Sequence, residues 1–305
     1  MSAPDYGALI DAEVWAFIDK SNAAYPEGAV DATIEQQRAF YDVCCAQFHA
    51  DYPDGVTATD HEVASVGVRD YKPTGAQDHA SLIYIHGGGF VVGGLGSHDD
   101  ICAEIADACK LSLRAVDYRL CPENPYPADL ADCLAVFDAT TGPVVLIGDS
   151  AGGNLCAGIS HVRRDARILG QVLIYPGLGG DMSKGSYQTH AHAPLLTLAD
   201  VEFYKGIRGP VVGDVGAYSP LNASDFTGLP PTVAIAAECD PLADDAHDYA
   251  AAITAAGGKA TSWTDTGLVH SWLRARHMSE KAGAAFDRVC GAVLTLADGQ
   301  MPEPR

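Results

Sequence analysis

From about residue 62 onward, short runs of apolar and β-branched residues alternate with longer stretches of helical periodicity. Runs at 62–68, 81–85, 111–118, 143–147, 170–175, 232–237 and 259–264 read as strands. Most are continuously apolar rather than alternating, as strands covered on both faces must be. Helical stretches fall between them at about 98–109, 127–140, 151–165, 243–256 and 276–297, several opening after Pro, Asp or Ser. This alternation predicts an α/β fold, a mostly parallel central sheet flanked by helices, built as one doubly wound unit without internal repeats or low-complexity linkers.

Two segments break the pattern. The first 50 residues are helical, with apolar and aromatic positions at Trp15, Phe17, Ile18, Phe40, Tyr41 and Val43, and residues 182–212 also lie outside the alternation. Together they read as a helical cap, 1–50 and 182–212, over a catalytic core of 51–181 and 213–305. Extra helices that merely cover the sheet fit the same spacing.

Composition narrows the function classes. A chain of 305 residues, 48% hydrophobic and 19% charged, can bury one large core. Its 19 Lys and Arg against 40 Asp and Glu leave a formal charge of −21, spread along the chain, which repels nucleic acid and anionic lipid. Such acidity suits a saline habitat as well as plain solubility. The opening MSAPDYGALIDAEVW lacks the basic and apolar regions of a secretory leader, and no apolar window of about 18 residues spans a bilayer. Nine cysteines without a C-x-x-C spacing read as buried reduced thiols rather than a disulfide framework or zinc knuckle, so the expectation is a cytoplasmic protein.

Gly148-Asp149-Ser150-Ala151-Gly152 follows the apolar run 143–147 and precedes a helical stretch. That is the setting of a nucleophile elbow, a sharp strand-to-helix turn that exposes a serine hydroxyl above the sheet edge. Small residues two positions to either side let strand and helix approach. A glycine-rich turn that happens to contain serine would look the same, so the pattern needs company.

His86-Gly87-Gly88-Gly89-Phe90 follows the run 81–85. Consecutive glycines leave backbone N–H groups free to converge, and acyl transfer needs such donors for the oxyanion that forms on the carbonyl oxygen. Gly87, Gly88 and the N–H of Ala151 are the expected hole. Phosphate binding lacks its G-x-x-x-x-G-K-[ST] signature, and Gly87, Gly89 and Gly93 are out of register for G-x-G-x-x-G, while simple turn chemistry stays open.

A nucleophilic serine needs a base, and the base needs an orienting carboxylate. Asp240 lies just past the strand 232–237 and His270 past the strand 259–264, so the chain order Ser150, Asp240, His270 is the one this arrangement uses. Asp244 and Asp245 fall in the following helix and read as helix-start charge. His247 and His277 also read as helical, and His190 and His192 alternate in a loop without a third metal ligand.

These motifs resemble the bacterial hormone-sensitive lipase family of esterases, the family IV carboxylesterases. The likeness rests on His86-Gly87-Gly88-Gly89-Phe90, Tyr118-Arg119-Leu120-Cys121-Pro122-Glu123, Gly148-Asp149-Ser150-Ala151-Gly152-Gly153-Asn154 and Asp240-Pro241-Leu242. It covers roughly residues 62–290, with weaker support from Tyr218-Ser219-Pro220-Leu221, Leu229-Pro230-Pro231 and the cap-like Pro194-Leu195-Leu196-Thr197.

The resemblance implies an α/β-hydrolase fold with a helical cap, a triad on Ser150, Asp240 and His270, no cofactor and no metal. It also implies hydrolysis of short-chain acyl esters, with a homodimer as a common assembly. Two departures stand out: His270-Ser271-Trp272 replaces the family's His-Gly-Phe, and Ala243 and Asp245 replace its Arg and Glu. The negative surface favours a small neutral ester as substrate. Amides, lactones, thioesters and acetylated sugars share the chemistry and remain alternatives, and so does a non-catalytic small-molecule receptor on the same fold.

Overall fold

The computed structural model describes residues 4–26, 28–29 and 32–303. One eight-stranded sheet in the order β1-β2-β4-β3-β5-β6-β7-β8 carries the molecule. Strands β1 (Thr57–Val63) and β2 (Val66–Lys72) form an antiparallel hairpin at one edge, and β2 pairs antiparallel with β4 (Leu111–Asp117). From β4 onward, β3 (Gln77–Ile85), β5 (Val144–Asp149), β6 (Ile168–Ile174), β7 (Thr232–Cys239) and β8 (Ala260–Val269) run parallel.

Alternate residues of each inner strand feed two cores. Leu82, Tyr84, Val145, Ile147, Val172, Ile174, Val233 and Ile235 face α4 (Asp99–Cys109) and α11 (Glu280–Ala297). Ile83, Ile85, Val144, Leu146 and Leu173 face α5 (Ala128–Ala139), α6 (Ala151–Arg163) and α10 (Ala243–Ala255). Burial on both faces explains why these strands read as unbroken apolar runs.

Several expected elements shift: β3 begins at Gln77 rather than 81, and β8 runs on to Val269 rather than 264. The strand read at 62–68 straddles the β1–β2 hairpin, whose turn is made by Ala64 and Ser65 at φ 51° and 67°. Left-handed turn positions normally announce themselves with Asn or Gly, and neither is present. The last helix begins at Glu280 rather than 276, because Ser279 caps it and His277 sits in the turn before it.

Before the sheet come α1 (Tyr6–Leu9), α2 (Ala12–Asn22) and α3 (Ile34–Ala46), α3 opened by a Thr33–Gln36 capping box. The expected cap over 1–50 includes residues 1–3, 27, 30 and 31, which lie outside the described residues. Between β6 and β7 the chain adds α7 (Gly185–Thr189), α8 (Leu198–Arg208) and α9 (Val215–Tyr218). Ile34 and Tyr41 of α3 and Tyr204 and Ile207 of α8 pack on one small cluster around Val91, Val92 and Cys121. Among the described residues no helix is long and apolar enough to cross a membrane, and all nine cysteines are buried free thiols.

Candidate active site

Each residue singled out in the sequence leaves the carboxyl end of a parallel strand. His86 follows β3, Ser150 follows β5, Asp240 follows β7 and His270 follows β8. In an open parallel sheet this edge is where ligands collect.

Ser150 stands at φ 52°, ψ −117°, between the last residue of β5 and the first of α6. A non-glycine residue holds such a conformation only where its surroundings over-determine it. Here β3 does so: a Cβ on Gly152 would overlap the backbone of Ile85 and His86, so α6 can lie against the sheet only with glycine there.

The three expected side chains meet. His270 Nε2 is 2.9 Å from Ser150 Oγ and its Nδ1 is 2.7 Å from Asp240 Oδ2. Asp240 is fully buried, and its other oxygen accepts from the Leu242 N–H at 2.8 Å. The imidazole lies against the ring of Tyr175, centroids 4.7 Å apart, and Trp272 packs edge-on to the same tyrosine. Ser271 sits at φ 65°, the left-handed position that a glycine takes without strain. Ser271 thus holds a conformation that glycine adopts more freely, and His270 beside it still reaches Ser150.

The glycine loop corrects one expectation. Gly87 does not offer its N–H to the site, because that N–H donates to Asp149 Oδ1 at 2.9 Å, and Gly87 does not line the cavity in front of Ser150. Gly88, Gly89 and Ala151 do line it, and their N–H groups have no acceptor among the described residues. At φ 125° Gly88 occupies backbone space closed to other residues, and a Cβ there would strike the Val92 carbonyl.

Asp149, unremarked inside its motif, is the hub behind this loop. Its carboxylate accepts from Tyr84 Oη at 2.9 Å and pairs with His98 Nε2 at 3.3 Å, all buried. Burial alone would push that carboxyl up, but His98, Arg274 and Tyr84 outweigh it and hold it well below the usual range. His86 stacks on Tyr118 with centroids 4.3 Å apart and directs Nδ1 to the Gly87 carbonyl. Burial, with His98 beside it, pushes the His86 ring down to about 4.

Other acids and histidines take structural places. Asp245 is more than helix-start charge: its Oδ2 gathers the N–H groups of Leu178 and Gly179 and the Tyr187 hydroxyl, while burial pushes the carboxyl up to about 6. Asp244 accepts from the Ser186 N–H at 2.8 Å. His190 bonds Tyr6, His247 bonds Ser262 and Thr264, and His277 bonds Glu104. No group of three or more His, Cys, Asp or Glu is placed to hold a metal among the described residues.

In front of Ser150 opens a cavity of about 690 Å³. Its walls come from α2 (Phe17), α3 (Tyr41) and the link between them (Tyr25), from the segment around α8 (Leu196, Tyr204) and from the glycine loop. A serine, its hydrogen-bonded imidazole and a buried carboxylate, beside unpaired backbone donors, form an arrangement suited to acyl transfer.

Comparison with known proteins bears on the fold and the activity. Residues 82–274 match the family described as the α/β-hydrolase fold. Esterase LipI of Mycobacterium tuberculosis is 33% identical over 264 residues, covering 79% of this chain and 82% of that protein. An ester hydrolase from the metagenome of Lake Arreo superposes with TM-score 0.84 at 28% identity, covering 95% of this chain and 99% of that one. An esterase of the bacterial hormone-sensitive lipase family shares the fold with TM-score 0.85 at 24% identity, over 94% of this chain and 99% of that one.

Proposed function

Because this chain belongs to the α/β-hydrolase fold family and is a carboxylic ester hydrolase, we propose that it is one of the bacterial hormone-sensitive lipase type and cleaves short-chain acyl esters through an acyl-enzyme. The observation that carries the mechanism is the continuous chain Ser150 Oγ, His270 and Asp240, with contacts of 2.9 and 2.7 Å.

Asp240 accepts a hydrogen bond from the His270 Nδ1–H, which fixes the tautomer and leaves Nε2 as the base facing the serine. As Ser150 Oγ attacks the ester carbonyl, Nε2 takes its proton and the carbonyl oxygen becomes an oxyanion. The N–H groups of Gly88, Gly89 and Ala151 receive it, each such donor contributing about 3 kcal/mol. The tetrahedral centre collapses, the imidazolium hydrogen protonates the departing alkoxide, and the acyl group stays on Ser150. Water, deprotonated by His270, then attacks the acyl-enzyme and releases the acid.

Helices α2 and α3 and the 182–212 segment act as a cap in this reading. Their side chains line the cavity in front of Ser150, which limits water around the oxyanion and strengthens its hydrogen bonds. Amide, lactone, thioester and acetylated-sugar substrates use the same oxyanion chemistry, and a hydrogen-bonded base favours catalysis over a silent receptor.

In a folded Ser150→Ala variant, hydrolysis of p-nitrophenyl butyrate is expected to fall by at least about 10³-fold. An unchanged rate would remove Ser150 as nucleophile. Labelling of the wild type, and not of the variant, by a fluorophosphonate checks the same assignment without a substrate.

A further inference from the structure

Arg274 lies four positions beyond His270 in the single turn Trp272–Ala275 and is 6% exposed. It lines the cavity that holds Ser150 and His270. Among the described residues two other arginines are buried, and each has a carboxylate: Arg208 pairs with Asp129, and Arg276 with Asp100 and Glu104. Arg274 forms no ion pair among the described residues. Its Nη2 donates to the Tyr41 hydroxyl at 2.6 Å and stands 3.4 Å from His98 Nε2, while Nε is buried with no hydrogen-bond partner among the described residues.

The negative charge that balances it cannot turn toward it. Asp149 meets the same His98 nitrogen without pairing with Arg274, and its oxygens already serve His98, Tyr84 and Gly87. A guanidinium carries five donors in a fixed fork, and burying it with donors unused is costly unless an acceptor arrives. The cavity wall includes the apolar and aromatic side chains of Phe17, Tyr25, Tyr41 and Cys44, and away from bulk water a charge-assisted hydrogen bond gains strength.

We propose that Arg274 is a carboxylate subsite, so that the enzyme takes esters carrying a free carboxylate on the acyl or the alcohol side. The inference rests on the esterase reading and deepens it. It also limits what the surface charge implies: a field of −21 slows the approach of an anion, whereas Arg274 acts on it once inside.

The test compares matched substrates within one protein, so that a general loss of activity cancels. On the acyl side the pair is monoethyl glutarate and its uncharged ω-amide, and on the alcohol side O-butyryl glycolate and its amide. The ratio of kcat/KM, anion over amide, is expected to fall about 10- to 100-fold in Arg274→Met in one of the two arms, and to fall less in Arg274→Lys, as loss of a charge-assisted hydrogen bond requires. The arm that responds identifies the side.

Wild-type protein supplies an independent reading. Glutarate is expected to inhibit p-nitrophenyl butyrate hydrolysis more strongly than its uncharged diamide. Ratios unmoved by Arg274→Met in both arms would overturn the subsite, and so would equal inhibition by glutarate and the diamide if the variant does not fold. Turnover of no ester at all, p-nitrophenyl butyrate included, would instead overturn the esterase reading.

Discussion

At the scale of single residues, the site depends on groups placed against their own preferences. Ser150 and Ser271 hold backbone at positive φ, and His86 is buried with Nε2 unpartnered among the described residues. The histidine has a consequence for pH. Its folded value of about 4 lies below the ordinary 6.5, so the native state resists the proton that the unfolded chain accepts. Its contribution to stability is complete above pH 6.5 and is lost as pH falls toward 4. Between pH 7 and 5 that loss amounts to roughly 2 kcal/mol. Urea unfolding at the two pH values checks it: His86→Asn is expected to show a shallower drop than wild type, and an equal drop would assign the acid sensitivity to other groups.

Helix α8 shows how an element is held in place. Arg208 is its only buried side chain, and it ends the helix with the cation that the C-terminal dipole favours. Its Nε bonds Asp129 of α5 at 2.8 Å, Nη1 reaches Asn154 of α6 at 3.1 Å, and the guanidinium lies 3.6 Å over the ring of Phe90. One side chain thus ties the segment above the site to two core helices and to the residue that follows the glycine loop. Removing one member of a buried pair leaves the other charge stranded, at a cost of about 3–5 kcal/mol. Asp129→Ala is expected to lose that much in urea unfolding, and a loss below about 1 kcal/mol would show that α8 is held mainly by its apolar contacts.

For the whole molecule, charge is the dominant feature. With 40 acidic side chains against 19 basic ones, at least 40 − 19 = 21 acids have no cation to themselves. Surface pairs such as Arg69–Asp60, Arg114–Asp70 and Arg163–Asp138 exist, yet exposed pairs contribute little. Self-repulsion therefore outweighs them, and screening it stabilises the fold. The thermal midpoint is expected to rise by a few degrees between about 20 mM and 0.5 M NaCl. A falling midpoint would show that the ion pairs outweigh the repulsion.

By itself the sequence determined what depends on neighbours along the chain. Continuous apolar runs marked the buried strands, and the chain order of Ser150, Asp240 and His270 followed from motifs that each sit at a strand end. Local chemistry also misled: Ala64 and Ser65 hid a hairpin because neither advertises a left-handed turn, and Asp245 looked like helix-start charge.

Only the tertiary structure decided where donors and charges are spent. Gly87 and Asp149 stand 62 positions apart, and they meet because the sheet places β3 beside β5. That contact engages the Gly87 N–H and leaves those of Gly88 and Gly89 for the oxyanion in the proposed mechanism. In the same way α3 and α8, far apart in sequence, converge on one cavity, and Arg274 enters it without a carboxylate. No periodicity encodes such pairings, since they arise from which strands lie side by side.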